Sequence, residues 1–297
     1  MKTKVWFIMG IFFILAGCIK EDLDPCPLGR VKVNVYAEKF QNSSENAMDN
    51  VEGSIKDRIR HLRYYLYREG KMEQKGIVSD WSAVNGAFYA LTWEGLEWGD
   101  YELILVGNST KNALSGDENI ADNLVLTYPG SELTEDYFAA VLPFTVNCDC
   151  ELEFNTALSR LQSVVRYTFK NMPADLTDIE VEMSRLATKK YITGSYEGEG
   201  SAVKKYAVLP VRAETAAGFI IGTFPTLMDT KAVLNMKLYR NHEVEPYYNQ
   251  VVTDTLKVKR NQLLDIITTF SDGKIDFEVR IDGSWDGFTP GGDTEIE

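Results

Sequence analysis

Histidine is almost absent from this chain, with two in 297 residues, His61 and His242, and neither has a partner at obvious spacing. An imidazole base or a histidine-rich metal site is therefore not expected, and His61, in a tyrosine-rich stretch, reads as an ordinary strand residue. Cysteine is nearly as scarce, at four. Cys148-Asp149-Cys150 has no second cysteine pair or acidic cluster at ligand spacing, so no metal is expected. The chain has no Gly-x-Ser-x-Gly elbow, phosphate-binding loop, His-Glu-x-x-His helix or dinucleotide fingerprint, and no cofactor is expected either. Basic residues are in the minority, 31 against 44 acidic, for a formal charge of -13. Such a surface repels phosphate backbones, which excludes nucleic acid as an expected partner. Helical periodicity is rare; the one helix expected spans Thr134 to Val141, with a turn around Asn155 to Leu161.

Long apolar runs are missing too, apart from Val5 to Leu15 near the N-terminus. That run is too short to cross a bilayer core, which needs roughly 20 residues. It follows Lys2 and Lys4 and precedes Ala16 and Gly17, the order of a secretory signal peptide. Leu15-Ala16-Gly17-Cys18 matches a bacterial lipobox at every position. Cleavage between Gly17 and Cys18 is expected to leave Cys18 as an N-palmitoyl, S-diacylglycerol cysteine, with residues 1–17 removed. Several acyl chains give stable anchoring where one gives only marginal binding. Lys2 and Lys4 leave with the signal, so 29 basic residues face 44 acidic ones, a mature balance of -15.

With Cys18 lipidated, Cys26, Cys148 and Cys150 remain in a compartment that permits disulfides. A bridge from Cys26 to Cys148 or to Cys150 would tie the leader to the end of the first domain. A bridge between Cys148 and Cys150 is disfavoured, because on an extended strand their Cα separation nears the geometric limit. Residues 18–28 are acidic and broken by Pro25 and Pro27, and read as a tether.

Beyond the tether the dominant period is two. Val31-Lys32-Val33-Asn34-Val35 alternates cleanly, Arg58 to Arg68 is rich in tyrosine and leucine, and Tyr101 to Val106 is a compact apolar run. Glu69-Gly70 and Trp98-Gly99-Asp100 are turn signals. A second set of strand-like segments runs from Ser163 to Ile281. This pattern predicts an all-β protein of two tandem antiparallel sandwiches, residues 29–153 and 154–290, followed by a tail, 291–297. Trp81, Trp93 and Trp98 are candidates for a sugar-binding platform, although large aromatics near a turn more often fill a core. Acidic residues are abundant enough that a glycosidase-like carboxylate pair is a third option, but acidic surfaces are usually solvated faces.

Several segments resemble one known family, the FimB-type fimbrial anchor subunits of Gram-negative anaerobes. They are the lipobox with its acidic residues and second cysteine (Cys18 to Cys26), Leu62-Arg63-Tyr64-Tyr65-Leu66-Tyr67 leading into Glu69-Gly70-Lys71, and Gly99 to Gly107-Asn108. After the boundary, Leu158-Ser159-Arg160-Leu161 through Val165 to Phe169 resembles the start of the family's second domain. Cys148-Asp149-Cys150 departs from the pattern. The resemblance implies two transthyretin-like sandwiches and a non-enzymatic role. It places the protein as a lipid-anchored, surface-exposed base of a fimbrium in the outer membrane, joined to a fimbrial shaft (fimbrillin) subunit. It also implies β-strand complementation, with Lys274 to Trp285 and the segment Asp286 to Glu297 as the candidate donor, and an end to fibre assembly at this subunit. The alternative reading is a surface glycan-binding lipoprotein, and a carboxylate-based hydrolase ranks third.

Overall fold

A computed structural model of the chain describes residues 28–39, 51, 53–82, 84, 86–109, 113–128, 135–147, 151–208, 217–271 and 273–282. Cleavage at Gly17 and Cys18, the three further cysteines and the tail fall outside the described residues. The strands of the first half are β1 (Gly29–Ala37), β2 (Leu62–Arg68), β3 (Lys71–Val78), β4 (Tyr89–Leu96), β5 (Gly99–Gly107), β6 (Leu114–Ser115), β7 (Val125–Thr127), β8 (Phe138–Val146) and β9 (Glu151–Arg160). Those of the second are β10 (Ser163–Lys170), β11 (Leu176–Leu186), β12 (Lys189–Tyr191), β13 (Tyr196–Glu197), β14 (Gly200–Ala207), β15 (Ala217–Thr223), β16 (Ala232–Arg240), β17 (Tyr248–Leu256), β18 (Leu263–Ser271) and β19 (Lys274–Asp282). Among the described residues the only helical pieces are the short 3-10 turns Ile55–Asp57 and Ala121–Asn123. No helix among them is long and apolar enough to cross a membrane.

The first unit is one sheet in the order β3-β2-β5-β8-β9-β1-β4. It folds over on itself, because β8 and β9 pair only through Phe138↔Arg160 and Ala139↔Ser159. Val31, Val33 and Val35 of β1 then enter the same buried cluster as Leu62 and Leu66 of β2 and Leu103 and Leu105 of β5. The turn signal at Glu69-Gly70 is a two-residue hairpin loop with both residues at positive φ, 48° and 76°. That geometry matches the twist of the paired strands β2 and β3.

The second unit has two facing sheets, β15-β10-β18-β19 and β14-β11-β16-β17. Its order repeats the first: β14-β11-β16-β17 matches β3-β2-β5-β8, and β18-β10-β15 matches β9-β1-β4. Among the described strands of these two sheets, β19 is the one addition. The antiparallel expectation is corrected at two places, since β1 pairs parallel with β9 and β10 parallel with β18. These pairings join strands distant in sequence, which alternation within a single strand cannot reveal.

The helix expected at Thr134 to Val141 is replaced from Phe138 by strand β8, in full register with β5. Ala139 and Ala140 favour a helix locally. Pro143, which lacks an amide hydrogen, opposes extension of a helix, and the edge of β5 offers a ladder to pair with. The turn expected near Asn155 is likewise strand, with β9 pairing β1 as far as Leu158. The first sheet therefore runs past residue 153, to Arg160.

The two units are sewn together. β7 pairs with β12, giving a small sheet β13-β12-β7-β6 that draws two strands from each half. Tyr65, Tyr67, Ile104 and Val106 on the outer faces of β2 and β5 share one buried cluster with Tyr167, Phe169 and Phe219 of the second unit. Leu103 to Val106 reads as a continuous apolar run because both faces of β5 are covered.

Candidate functional site

Three places bear on function: the three tryptophans, strand β19, and the junction between the units. The tryptophans do not share a face. Trp93 points into the first core and is 6% exposed. Trp81 packs edge-on against Tyr89 and donates its indole N-H to the carbonyl of Arg60 at 2.7 Å. Only Trp98, at the turn after β4, is largely exposed. Sequence proximity therefore did not become a common surface.

The histidines are also apart. The His61 ring sits 2.8 Å from the carbonyl of Ser109, just ahead of β2. His242 is exposed on the loop after β16, 3.6 Å from Asp178. Among the described residues no group of three His, Cys, Asp or Glu side chains is placed to hold a metal.

β19 lies at the edge of its sheet, held to β18 by a hairpin closing at Ser271↔Lys274. Ile275 and Phe277 pack partly on the core, but Val279 and Ile281 farther along are 39% and 58% exposed. A sheet-edge strand with exposed apolar side chains is open to pairing with another chain. It covers Lys274 to Asp282 of the expected donor, the rest of which lies outside the described residues.

The junction is polar where its surroundings are apolar. Glu38, at the end of β1, has no exposed surface, and its carboxylate accepts from the guanidinium of Arg260 at 2.8 and 3.1 Å and from the backbone N-H of Arg160 at 2.8 Å. The Arg160 guanidinium donates to both carboxylate oxygens of Asp136 at 2.9 Å and to Asn261 at 3.1 Å, and lies 5.1 Å from the centre of the Phe138 ring. Asn261 in turn donates to the carbonyl of Lys39 at 3.0 Å. Burial pushes the Asp136 carboxyl up, with Arg160 opposing it. Glu38, Arg160 and Asp136 belong to the first unit, Arg260 and Asn261 to the β17–β18 loop of the second. Buried charges are tolerated only when paired, so this cluster fixes one relative placement of the units.

Asn108 supports the same corner. It is 2% exposed, at φ 60°, and its side chain takes a hydrogen bond from the Arg60 backbone at 2.7 Å while donating to the carbonyls of Arg58 at 2.7 Å and Asp136 at 2.8 Å. Asn tolerates the left-handed conformation, which accounts for a Gly-Asn ending to β5. In the sequence Asn108 and Arg160 stand out as parts of motifs, with nothing beside them to show what they bind. Glu38, Asp136 and Arg260 carried no local signal, because their partners lie up to 222 residues away.

Beside this cluster is the Lys190 side chain, on the β12–β13 insertion. Its ammonium donates to the carbonyls of Tyr191, at 2.8 Å, and Gly194, and lies 5.3 Å from the centre of the Tyr196 ring.

No protein-family model matches the chain, and no curated protein matches it by sequence. Solved structures do match. A candidate polysaccharide-binding protein from Bacteroides thetaiotaomicron is 13% identical, with a TM-score of 0.63 over 86% of this chain and 96% of that one. The fimbrial anchor protein Mfa2 from Porphyromonas gingivalis is 14% identical, with a TM-score of 0.56 over 88% and 99%. The tip fimbrial protein Mfa3 from the same organism is 13% identical, with a TM-score of 0.52 over 85% and 98%. The chain thus has the tandem-sandwich fold of fimbrial anchor and tip subunits, the fold that its resemblance to the FimB-type family implies.

Proposed function

We propose that this protein is a fimbrial subunit of the anchor kind. The lipid on Cys18 holds it in the outer membrane, exposed at the cell surface, and its folded part joins a fimbrial shaft subunit. The observation that carries the reading is the fold shared with an anchor protein over nearly the whole length of both chains. β19 supports the finer mechanism. An edge strand that has no partner on its outer side among the described residues, with Val279 and Ile281 exposed, has what strand complementation requires: backbone hydrogen bonds for affinity and alternate side chains for register. Such a joint at one end of the polymer would also end assembly there.

The role is structural, not catalytic. Both acids at the junction, Glu38 and Asp136, are engaged by arginines, which leaves neither placed as a free acid or base. The glycan-binding reading draws on the polysaccharide-binding neighbour, but the tryptophan arrangement gives it no platform. A strain lacking the gene tests the proposal. Fimbriae are expected to be shed into the medium and to vary abnormally in length; fibres that stay cell-bound at normal length would overturn it. Mass spectrometry of the mature protein should find a chain beginning at acylated Cys18.

A further inference from the structure

β8 and β9 share only two paired positions and then part, and at the fork lies a cavity of about 320 Å³. Its walls are apolar: Ala139 and Val141 from β8, and Leu161 from the end of the first unit. Its polar and charged lining residues include Ser159, Lys190 and Arg260. The second unit supplies the far side through Tyr196, whose hydroxyl donates to the carbonyl of Leu161. The volume is at the lower end of the range for small-molecule sites, which run from about 300 to 1,000 Å³.

The charge is unbalanced in a telling direction. Arg260 is matched by Glu38, and Arg160 by Asp136. Lys190 has no ion pair among the described residues; its ammonium is held by two carbonyls and a ring face. The groups facing it are Tyr196 and Tyr191 on its own insertion and Arg260 across the cavity, with Glu38 behind Arg260. Burial, and then the nearby Arg260, lower Lys190 to about 8. A chain of charge -13 therefore keeps an excess positive charge at a partly buried, mainly apolar cavity, where it acts more strongly than in water.

We propose that the junction cavity binds a small hydroxylated carboxylate, the chemistry of a hexuronic acid. The carboxylate is the counter-charge of Lys190, the ligand's hydroxyls meet Ser159 and the carbonyl of Gly194, and its C-H face lies on Ala139, Val141 and Leu161. Arg260 stays with Glu38 and contributes field, not a direct bond. The proposal is independent of the anchor reading, because ligand binding and fibre attachment are measured separately.

Glucuronate is the probe, with glucose and inorganic sulfate as controls, titrated calorimetrically into the full mature chain. One glucuronate per chain is expected, with glucose silent and sulfate at least ten-fold weaker. Because a bound anion favours protonated Lys190, binding should take up protons near pH 8. Affinity should then fall by up to about ten-fold per pH unit above it. Lys190→Met should lose at least ten-fold in affinity and Lys190→Arg should retain most of it. Should Lys190→Met fail to fold, the native protein decides: glucuronate must slow acylation of Lys190 relative to exposed Lys189, read by peptide mass spectrometry. Absence of glucuronate binding, binding that Lys190→Met leaves unchanged, or sulfate binding as tightly as glucuronate, which would mark an adventitious ion only, overturns the site.

Discussion

At the scale of single residues, Glu38 shows how much the junction depends on charge matching. Its carboxylate is out of water and faces Arg260, so truncation would remove the carboxylate that balances a partly buried guanidinium. Losing one member of a buried pair typically costs about 3–5 kcal/mol. Arg260 is partly exposed, so Glu38→Ala should destabilise by about 3 kcal/mol in urea unfolding, and a loss below about 1 kcal/mol would show that the pair does not hold the junction. Tyrosine sets a second expectation. Burial raises Tyr65 from 10.0 to about 12, and raises Tyr67, Tyr167 and Tyr196 as well. Below pH 10.0 both folded and unfolded chains keep these protons; above it the unfolded chain releases them first. The folded state then binds more protons, so stability should fall as pH rises from 10 through 12. Lys190, lowered from 10.5 to about 8, acts oppositely between those two values. A melting-temperature profile from pH 8 to 12 should therefore turn down only above about pH 10. None of this was visible in the sequence, where Glu38 is one acid among 44.

At the scale of elements, strands with clean alternation or a bounded apolar run were legible. Val31 to Val35, Tyr101 to Val106 and most segments from Ser163 to Ile281 fall inside observed strands. What was not legible depended on a neighbour. β8 became a strand because β5 offered it an edge, and β3, with the exposed pattern of Lys71–Val78, had too little apolar content to announce itself. β19 carries the prediction that belongs here. Val279 and Ile281 are exposed, so Val279→Lys with Ile281→Lys should change stability little, since surface substitutions usually stay within about 0.5 kcal/mol. The same pair of changes should prevent recovery of the protein with fimbrial shaft material from cell extracts. Normal recovery would remove β19 from the joint.

At the scale of the whole molecule, the shared buried cluster and the mixed sheet β13-β12-β7-β6 bear on cooperativity. Neither unit can open without exposing Tyr65, Tyr67, Tyr167 and Phe219 of the common core. Calorimetry should accordingly record one unfolding transition with matching calorimetric and van't Hoff enthalpies; two resolved transitions would mean that the junction is weaker than its contacts imply. The tandem organisation was legible as a repeat of strand-like segments. The sewing was not, because β7 and β12 are three residues each and their paired residues are far apart in sequence, Leu126 and Lys190 by 64 positions.

The parallel pairing of β1 with β9 has a mechanical consequence. If the protein is anchored as proposed, a pull from the membrane side enters at the N-terminal end of β1, and the pull of whatever the second unit carries leaves at the C-terminal end of β9. Because the strands run parallel, those two points lie at opposite ends of the ladder. Tension is then directed along the strands, and the rungs from Arg30↔Glu151 to Ala37↔Leu158 share the load, together with the side-chain links from Lys32 to Glu153 and from Asn34 to Asn155. An antiparallel pair would place both points at one end and peel open rung by rung. Here the joint resists in shear, and it yields only when the ladder slides as a whole.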